Sequence, residues 1–258
     1  MKGVVQGAIK RGRFDGVRQI LTFNWPTYAL TGLVCALAAG YLAGRPPARI
    51  WTAAAIVAIA AALLWSLMSL LVSYWVYDRS PLRDQAWLPT YVAQPPRRWV
   101  ALHAGLDQVS PGLRALYPES AGRVLDFFDP HEMSAPSIRR ARKTTPGAAL
   151  AEPARFDVLP IADGECDLAL VVFAAHELRN SAARERFFAE LRRILAPGGR
   201  LLLVEHLRDL PNFIAFGPGF THFWPRREWL RLAKQNGFEI ARESRITPFV
   251  AVFCLLKS

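Results

Sequence analysis

Four short stretches of this sequence hold side chains able to share or move a proton. They are His103-Ala104-Gly105-Leu106-Asp107, Ala174-Ala175-His176-Glu177-Leu178, the pair Glu205-His206, and the Gly/Pro-rich run Pro211–Trp224 with its single histidine, His222. A histidine has an ordinary pKa near 6.5, which makes His176 a candidate general base; capping of the following helix is the structural alternative. Glu205-His206 suits orienting a hydroxyl or thiol, or binding neighbouring loops. Five aromatic residues surround His222 between Phe213 and Trp224. That composition describes an apolar small-molecule pocket with one polar contact, or a surface loop docking its rings on the core or a bilayer. No nucleophile–base triad or metal-ligand cluster is legible, so no metal is expected.

The elements that must position these residues follow from apolar patterning. Trp99–Leu102, Arg123–Phe128, Leu168–Phe173, Arg200–Val204, Phe238–Arg242 and Val250–Leu256 read as strands. Ser110–Leu116, Ile138–Lys143, Ala182–Leu195 and Arg226–Gln235 read as helices. Leu168–Phe173 is apolar throughout, as a strand buried on both faces should be. Alternation of this kind predicts a largely parallel sheet with helices on both faces, and two adjacent last strands let one run antiparallel. His176 and Glu205-His206 then fall at the carboxyl ends of strands, where open α/β sheets bind ligands.

The first third has a different character. No charge occurs from Gln19 to Gly44 or from Ile50 to Tyr77, and each run reaches the ~20 residues that cross a bilayer. With Trp25, Tyr41, Trp51, Trp75 and Tyr77 near the ends, the runs predict a transmembrane hairpin over residues 25–77. Residues 1–24 interleave Lys2, Lys10, Arg11, Arg13 and Arg18 with apolar positions, fitting an interfacial helix or a solvated basic tail. Five Lys and Arg precede the first span, two lie in the loop, and Arg79, Arg83, Arg97 and Arg98 follow the second. The bias puts both ends, and the rest of the chain, on the cytoplasmic side of an inner membrane. Residues 78–98 carry Pro81, Pro89, Pro95 and Pro96 and predict an extended linker, lying along the membrane or covering the domain at 99–258.

The formal charge of +11 suits anionic lipid. Without a zinc pattern or an aromatic-basic RNA motif, no nucleic-acid partner is expected. Cys35, Cys166 and Cys254 are too dispersed for a disulfide framework and suit a reducing compartment. Oligomeric state is not encoded legibly.

Asp157–Leu178 followed by Leu191–Val204, with its Leu-x-Pro-Gly-Gly-x-Leu-Leu-Leu pattern, resembles the class I S-adenosylmethionine-dependent methyltransferases, nearest to the ubiquinone and menaquinone type. The resemblance covers about residues 99–258 and none of the hairpin. It implies a Rossmann-like seven-stranded sheet and S-adenosylmethionine as cofactor. The family's G-x-G-x-G loop falls on His103, Gly105 and Asp107, so only the central glycine remains, and the usual acidic residue of the first strand is replaced by Ala101. In place of the missing glycines, His103 can donate to the carboxylate of the cofactor and Asp107 can pair with its ammonium; the alternative is a loop that has lost cofactor affinity. The ribose carboxylate falls on Asp129, or on Asp126 if the strand end slips. The adenine-binding carboxylate falls on Asp157, with Val158 and Leu159 beside the ring. His176, His206 and His222 are the candidate catalytic residues. The expected function is a membrane-anchored methyltransferase acting on an apolar or membrane-partitioned small acceptor: a quinone or other lipid, or a small thiol. The alternative is a non-catalytic scaffold or sensor at the membrane.

Overall fold

The computed structural model describes residues 12–45, 47–92, 94–144 and 151–258. Two long helices lead: α1 (Asp15–Gly44) and α2 (Arg49–Tyr74), the latter continuing through a π-helical turn at Trp75–Arg79. The first helix thus starts ten residues before the predicted span and runs through Pro26. Its exposed amides are satisfied from the far end of the hairpin, where the Asp78 carboxylate accepts from Gly16 N (2.7 Å) and Val17 N (2.8 Å). A carboxylate also complements the positive end of the helix dipole. The basic residues at 1–11 lie outside the described residues.

The remainder is one seven-stranded sheet in the order β3-β2-β1-β4-β5-β7-β6. Its strands are β1 (Arg98–His103), β2 (Ala121–Asp126), β3 (Glu152–Pro153), β4 (Cys166–Val172), β5 (Leu195–His206), β6 (Phe238–Thr247) and β7 (Val250–Lys257). β7 runs antiparallel to both its neighbours, and the pairings among the other strands are parallel. The helices between them are α3 (Ser110–Leu116), α4 (Pro136–Thr144), α5 (Ser181–Ile194), α6 (Leu210–Phe216) and α7 (Arg226–Gln235). β1 lies between β2 and β4, so the strand order reverses there and opens a crevice at the carboxyl ends of both.

Alternate strand residues supply two apolar layers, as the two-residue period of a strand requires. Val100, Leu102, Val171 and Leu203 face α5 and α7, packing with Phe187, Phe188 and Trp229. Trp99, Ala101, Leu170 and Leu202 face the other way, toward Leu113 of α3 and toward Val76, Trp87, Leu88 and Tyr91. The proline-rich segment therefore covers the domain: it folds into turns with a 3-10 helix at Leu88–Thr90 and buries Leu88 completely. Full burial of one such side chain contributes roughly 1.5–3 kcal/mol. Arg200 and Arg242 tie it down through the carbonyls of Tyr91 (3.0 Å) and Thr90 (3.1 Å).

Candidate functional site: the crevice at the carboxyl edge of the sheet

β1 ends at His103, and the chain turns through Gly105 at φ +140°, a region glycine enters without a Cβ penalty. His103 is buried. Its Nδ1 accepts from Gly105 N at 3.0 Å, leaving Nε2 without a partner. Burial depresses its pKa, and the charges of Asp126 and Asp107 oppose that only in part. Asp107 caps α3, accepting from Val109 N (3.1 Å) and Ser110 N (2.9 Å) and bonding the Ser110 hydroxyl.

β2 stops at Asp126, which pairs in register with His103. Arg142 of α4 reaches over the loop to this carboxylate, 2.6 Å from Oδ2 and 2.8 Å from Oδ1, and also donates to Ala104 O at 3.2 Å. Its guanidinium lies over the Phe128 ring at 4.2 Å. An added Cβ on Gly105 would stand 2.4 Å from Arg142 Cγ, so the arginine stem fills the space directly above the loop.

On the other side of the crevice, β4 leaves the sheet through Phe173, a non-glycine residue at φ +50°. Such backbone persists only where surrounding contacts hold it. Here the ring stacks on His206, centroids 4.9 Å apart. A 3-10 turn, Ala175–Glu177, follows. His176 Nδ1 lies 2.7 Å from Glu205 Oε2, its Nε2 lies 3.5 Å from Glu177 Oε1, and His222 Nε2 approaches the same Glu177 oxygen at 3.5 Å. Burial works against charge on His176, but Glu205 and Glu177 outweigh it and lift the imidazole to about 10. Burial likewise opposes charge on Glu177, and the two imidazoles overcome it, holding the acid well below the usual carboxylate range. Arg179 donates to the carbonyls of His176 (3.1 Å) and His222 (2.6 Å), fastening the turn after β4 to the aromatic segment.

That segment is helical: α6 is capped by Asp209 and followed by a 3-10 helix at Gly217–His222. It rests on α2, where Phe213 meets Trp65 edge-on at 5.6 Å.

Comparison with known proteins gives the same picture. Residues 128–203 match the sequence model of a methyltransferase domain. A solved S-adenosylmethionine-dependent methyltransferase from Aquifex aeolicus superposes with TM-score 0.53 at 15% identity, over 75% of this chain and 98% of that one. Human N-acetylserotonin methyltransferase in complex with its cofactor superposes with TM-score 0.56 at 15% identity, over 96% of this chain and 72% of that one. Residues 128–203 thus carry the sequence of a methyltransferase domain, and the sheet has the Rossmann-like methyltransferase fold. A curated relative, the Streptomyces fradiae 23S rRNA (guanine(748)-N(1))-methyltransferase, is 41% identical over 97 residues, 34% of this chain. The chain spans only 31% of that relative's length. Its name concerns RNA, and it lends no support to setting nucleic acid aside.

The crevice gathers some of the sequence-derived site residues and leaves others engaged elsewhere. Gly105 and the unpartnered His103 Nε2 fit a cradle for the cofactor's polar groups. Asp107 does not stand free to meet an ammonium, because its carboxylate is engaged at the start of α3. The strand end is Asp126 rather than Asp129. Asp129 lies three residues on, half-buried, and accepts from His131 N at 2.8 Å in a local turn. Phe127 and Phe128 leave the sheet because β1 offers no partner beyond His103. Asp157 is held by Arg155 (3.0 and 3.1 Å), and hydrogen bonding to that guanidinium lowers its pKa. Beside it Val158 is exposed and Leu159 belongs to the core.

Two catalytic expectations change. His176 is not a free base, since Glu205 holds its Nδ1 at 2.7 Å and Glu177 stands 3.5 Å from its Nε2. His206 is buried and committed: Phe249 O lies 2.9 Å from Nδ1 and Tyr77 Oη 2.9 Å from Nε2, and burial drives its pKa down to about 4. A carbonyl can only accept, so Nδ1 carries the proton and the Tyr77 hydroxyl donates to Nε2. Sequence reasoning gave no role to Arg142, Phe173 or Glu177 alone. Only Glu177 left a signal, as a carboxylate adjoining a candidate histidine after a buried strand.

Proposed function

We propose that this chain is a membrane-anchored S-adenosylmethionine-dependent methyltransferase whose acceptor is an apolar or membrane-partitioned small molecule, a quinone or other lipid or a small thiol. The observation that carries the acceptor class is the path from the hairpin to the crevice. The segment Leu210–His222 packs on α2 and ends at His222 beside His176, while Leu210 and Ile214 remain exposed on its outer surface. Along α1 and α2 themselves, Leu30, Leu37, Trp51, Val57 and Leu64 are all more than half exposed. Both helices are long and apolar enough to cross a membrane. A continuous apolar surface of this kind needs lipid or protein around it. The charge bias of the flanks favours an inner membrane with the domain on its cytoplasmic side.

The cofactor, when bound, supplies an electrophilic methyl group on a positively charged sulfur. Gly105 lets backbone approach it closely, and Asp126 offers two acceptor oxygens at the strand end once Arg142 is displaced. The aromatic segment excludes water and orients the acceptor, the main requirements of a direct displacement. His222, about one-third exposed, is the polar side chain best placed to meet an acceptor heteroatom.

A nucleic-acid acceptor is the second reading, favoured by the net charge of +11 and by the rRNA-directed relative. The full chain in detergent is tested first by calorimetry with S-adenosylmethionine, where absence of binding at millimolar cofactor leaves only the scaffold. Methyl-labelled cofactor is then offered with membrane lipid extract, small thiols or ribosomal RNA. Label in the lipid or thiol fraction is expected, and label confined to RNA sinks the acceptor assignment.

A further inference from the structure

His176, Glu177 and His222 converge in a way that methyl transfer does not require. Their three ligand-capable atoms, two imidazole nitrogens and one carboxylate oxygen, all lie within 4.8 Å of one another. Glu177 Oε1 stands 3.5 Å from Nε2 of each histidine. Ligand atoms about 2.0–2.1 Å from a tetrahedral zinc are separated from each other by about 3.4 Å. The two Glu177–histidine separations match that edge, and they are longer than a good hydrogen bond.

Two further observations point the same way. The second oxygen of Glu177, Oε2, is buried without any hydrogen-bond partner, although an ionised carboxylate in such surroundings ordinarily needs one. The opposite nitrogen of His176, Nδ1, is held at 2.7 Å by Glu205, a fully buried carboxylate. A carboxylate on the far nitrogen of a histidine fixes the ring's orientation and strengthens it as a donor to metal. Arg179 bonds both carbonyls of the two histidines, so their relative placement is fixed by backbone.

We propose that His176 Nε2, His222 Nε2 and Glu177 bind one divalent transition-metal ion, zinc by the nature of the donors, with Glu205 as the supporting carboxylate. Two imidazoles and a carboxylate are a borderline donor set, which suits zinc and its neighbours better than magnesium or calcium. Three protein ligands leave a fourth position open, on the side where His222 is one-third exposed. An oxygen or sulfur ligand can occupy that position. The site stands whether or not the domain transfers methyl groups, because its occupancy is measured directly.

The test uses the full chain in detergent, stripped with a chelator and titrated with Zn2+ or Co2+. One equivalent is expected, and Co2+ should give the intense visible absorption of a four-coordinate centre. His222→Ala should weaken binding at least tenfold, and Glu177→Gln should do the same. Glu205→Gln should weaken it 10–100-fold through His176 alone. His131→Ala, at an exposed histidine elsewhere, should bind as the wild type does. Thermal melting of every apo variant is read in parallel, so that loss of fold is separated from loss of ligand. Wild-type protein that takes up less than half an equivalent at 0.1 mM metal (about a hundredfold margin over micromolar affinity) overturns the site, as does a folded His222→Ala that binds like wild type.

Discussion

Arg142 Nη1 contacts both carboxylate oxygens of Asp126, at 2.6 and 2.8 Å, in the crevice where the strand order of the sheet reverses. The ion pair is partly buried, with the Asp126 side chain only 9% exposed. A ligand that takes both Asp126 oxygens as acceptors therefore competes with that guanidinium. Arg142→Ala should tighten S-adenosylmethionine binding several-fold, and Asp126→Ala should weaken it by about tenfold or more, the scale of a hydrogen bond to a charged group. Asp129→Ala should change it little. Calorimetry on the three variants ranks them, and a larger loss at Asp129 would move the strand end by three residues.

Gly105 offers a second handle on the same contact. Gly105→Ala adds a Cβ at φ +140° and drives it against Arg142 Cγ. The left-handed backbone alone should cost about 1–3 kcal/mol. In an Arg142→Ala background the collision disappears and only the backbone cost remains. A double-mutant cycle by thermal melting should accordingly show coupling between the two positions, and strict additivity would mean that Arg142 does not rest on the loop.

Glu228 of α7 supports the buried Arg184, which also donates to the carbonyls of Leu178 and Arg179 just after the His176 turn. Hydrogen bonding to Arg231 and to Arg184, working against burial, lowers the Glu228 pKa. A folded-state pKa below the unfolded value gives stability that is fully present above about pH 4.5 and is lost as pH falls through the folded value. Wild type should lose melting temperature below pH 4.5 more steeply than Glu228→Gln. Glu228→Ala should cost about 3 kcal/mol at neutral pH, because Arg184 is left buried without its partner.

Asp78 closes the hairpin, joining the end of the second helix to the start of α1. Asp78→Ala removes the acceptor for Gly16 N and Val17 N, at a cost of about 1–2 kcal/mol to the start of α1. Limited proteolysis in detergent should then cut near residues 12–20 faster than in wild type, while the sheet domain keeps its own resistance. Equal cutting rates would place the hold on α1 elsewhere, in its packing against α2 and α4.

Much of the architecture is legible in the sequence because it is written locally. The apolar run Leu168–Val172 can only be a strand buried on two faces, and Phe187, Phe188 and Leu191 mark the inner stripe of α5. The two charge-free runs fix most of α1 and α2, whereas the Pro-Gly-Gly stretch, which reads as a break before a strand at Arg200, lies inside β5 where its pairing with β4 shifts register. The site was legible only in its parts. Nothing near Arg142 says that α4 will lie across the first loop, because that depends on how a crossover helix returns over the sheet. Asp129 reads as the better strand-end carboxylate and Asp126 as the second, until the pairing of β2 with β1 stops at His103. His206 looks like a free catalytic histidine until Tyr77 and Phe249, both distant in sequence, close on its two nitrogens. His176, Glu177 and His222 are brought together by the chain's path across the carboxyl edge of the sheet. Residue types and periodicity are properties of neighbours along the chain, whereas distances between side chains are set by packing across it.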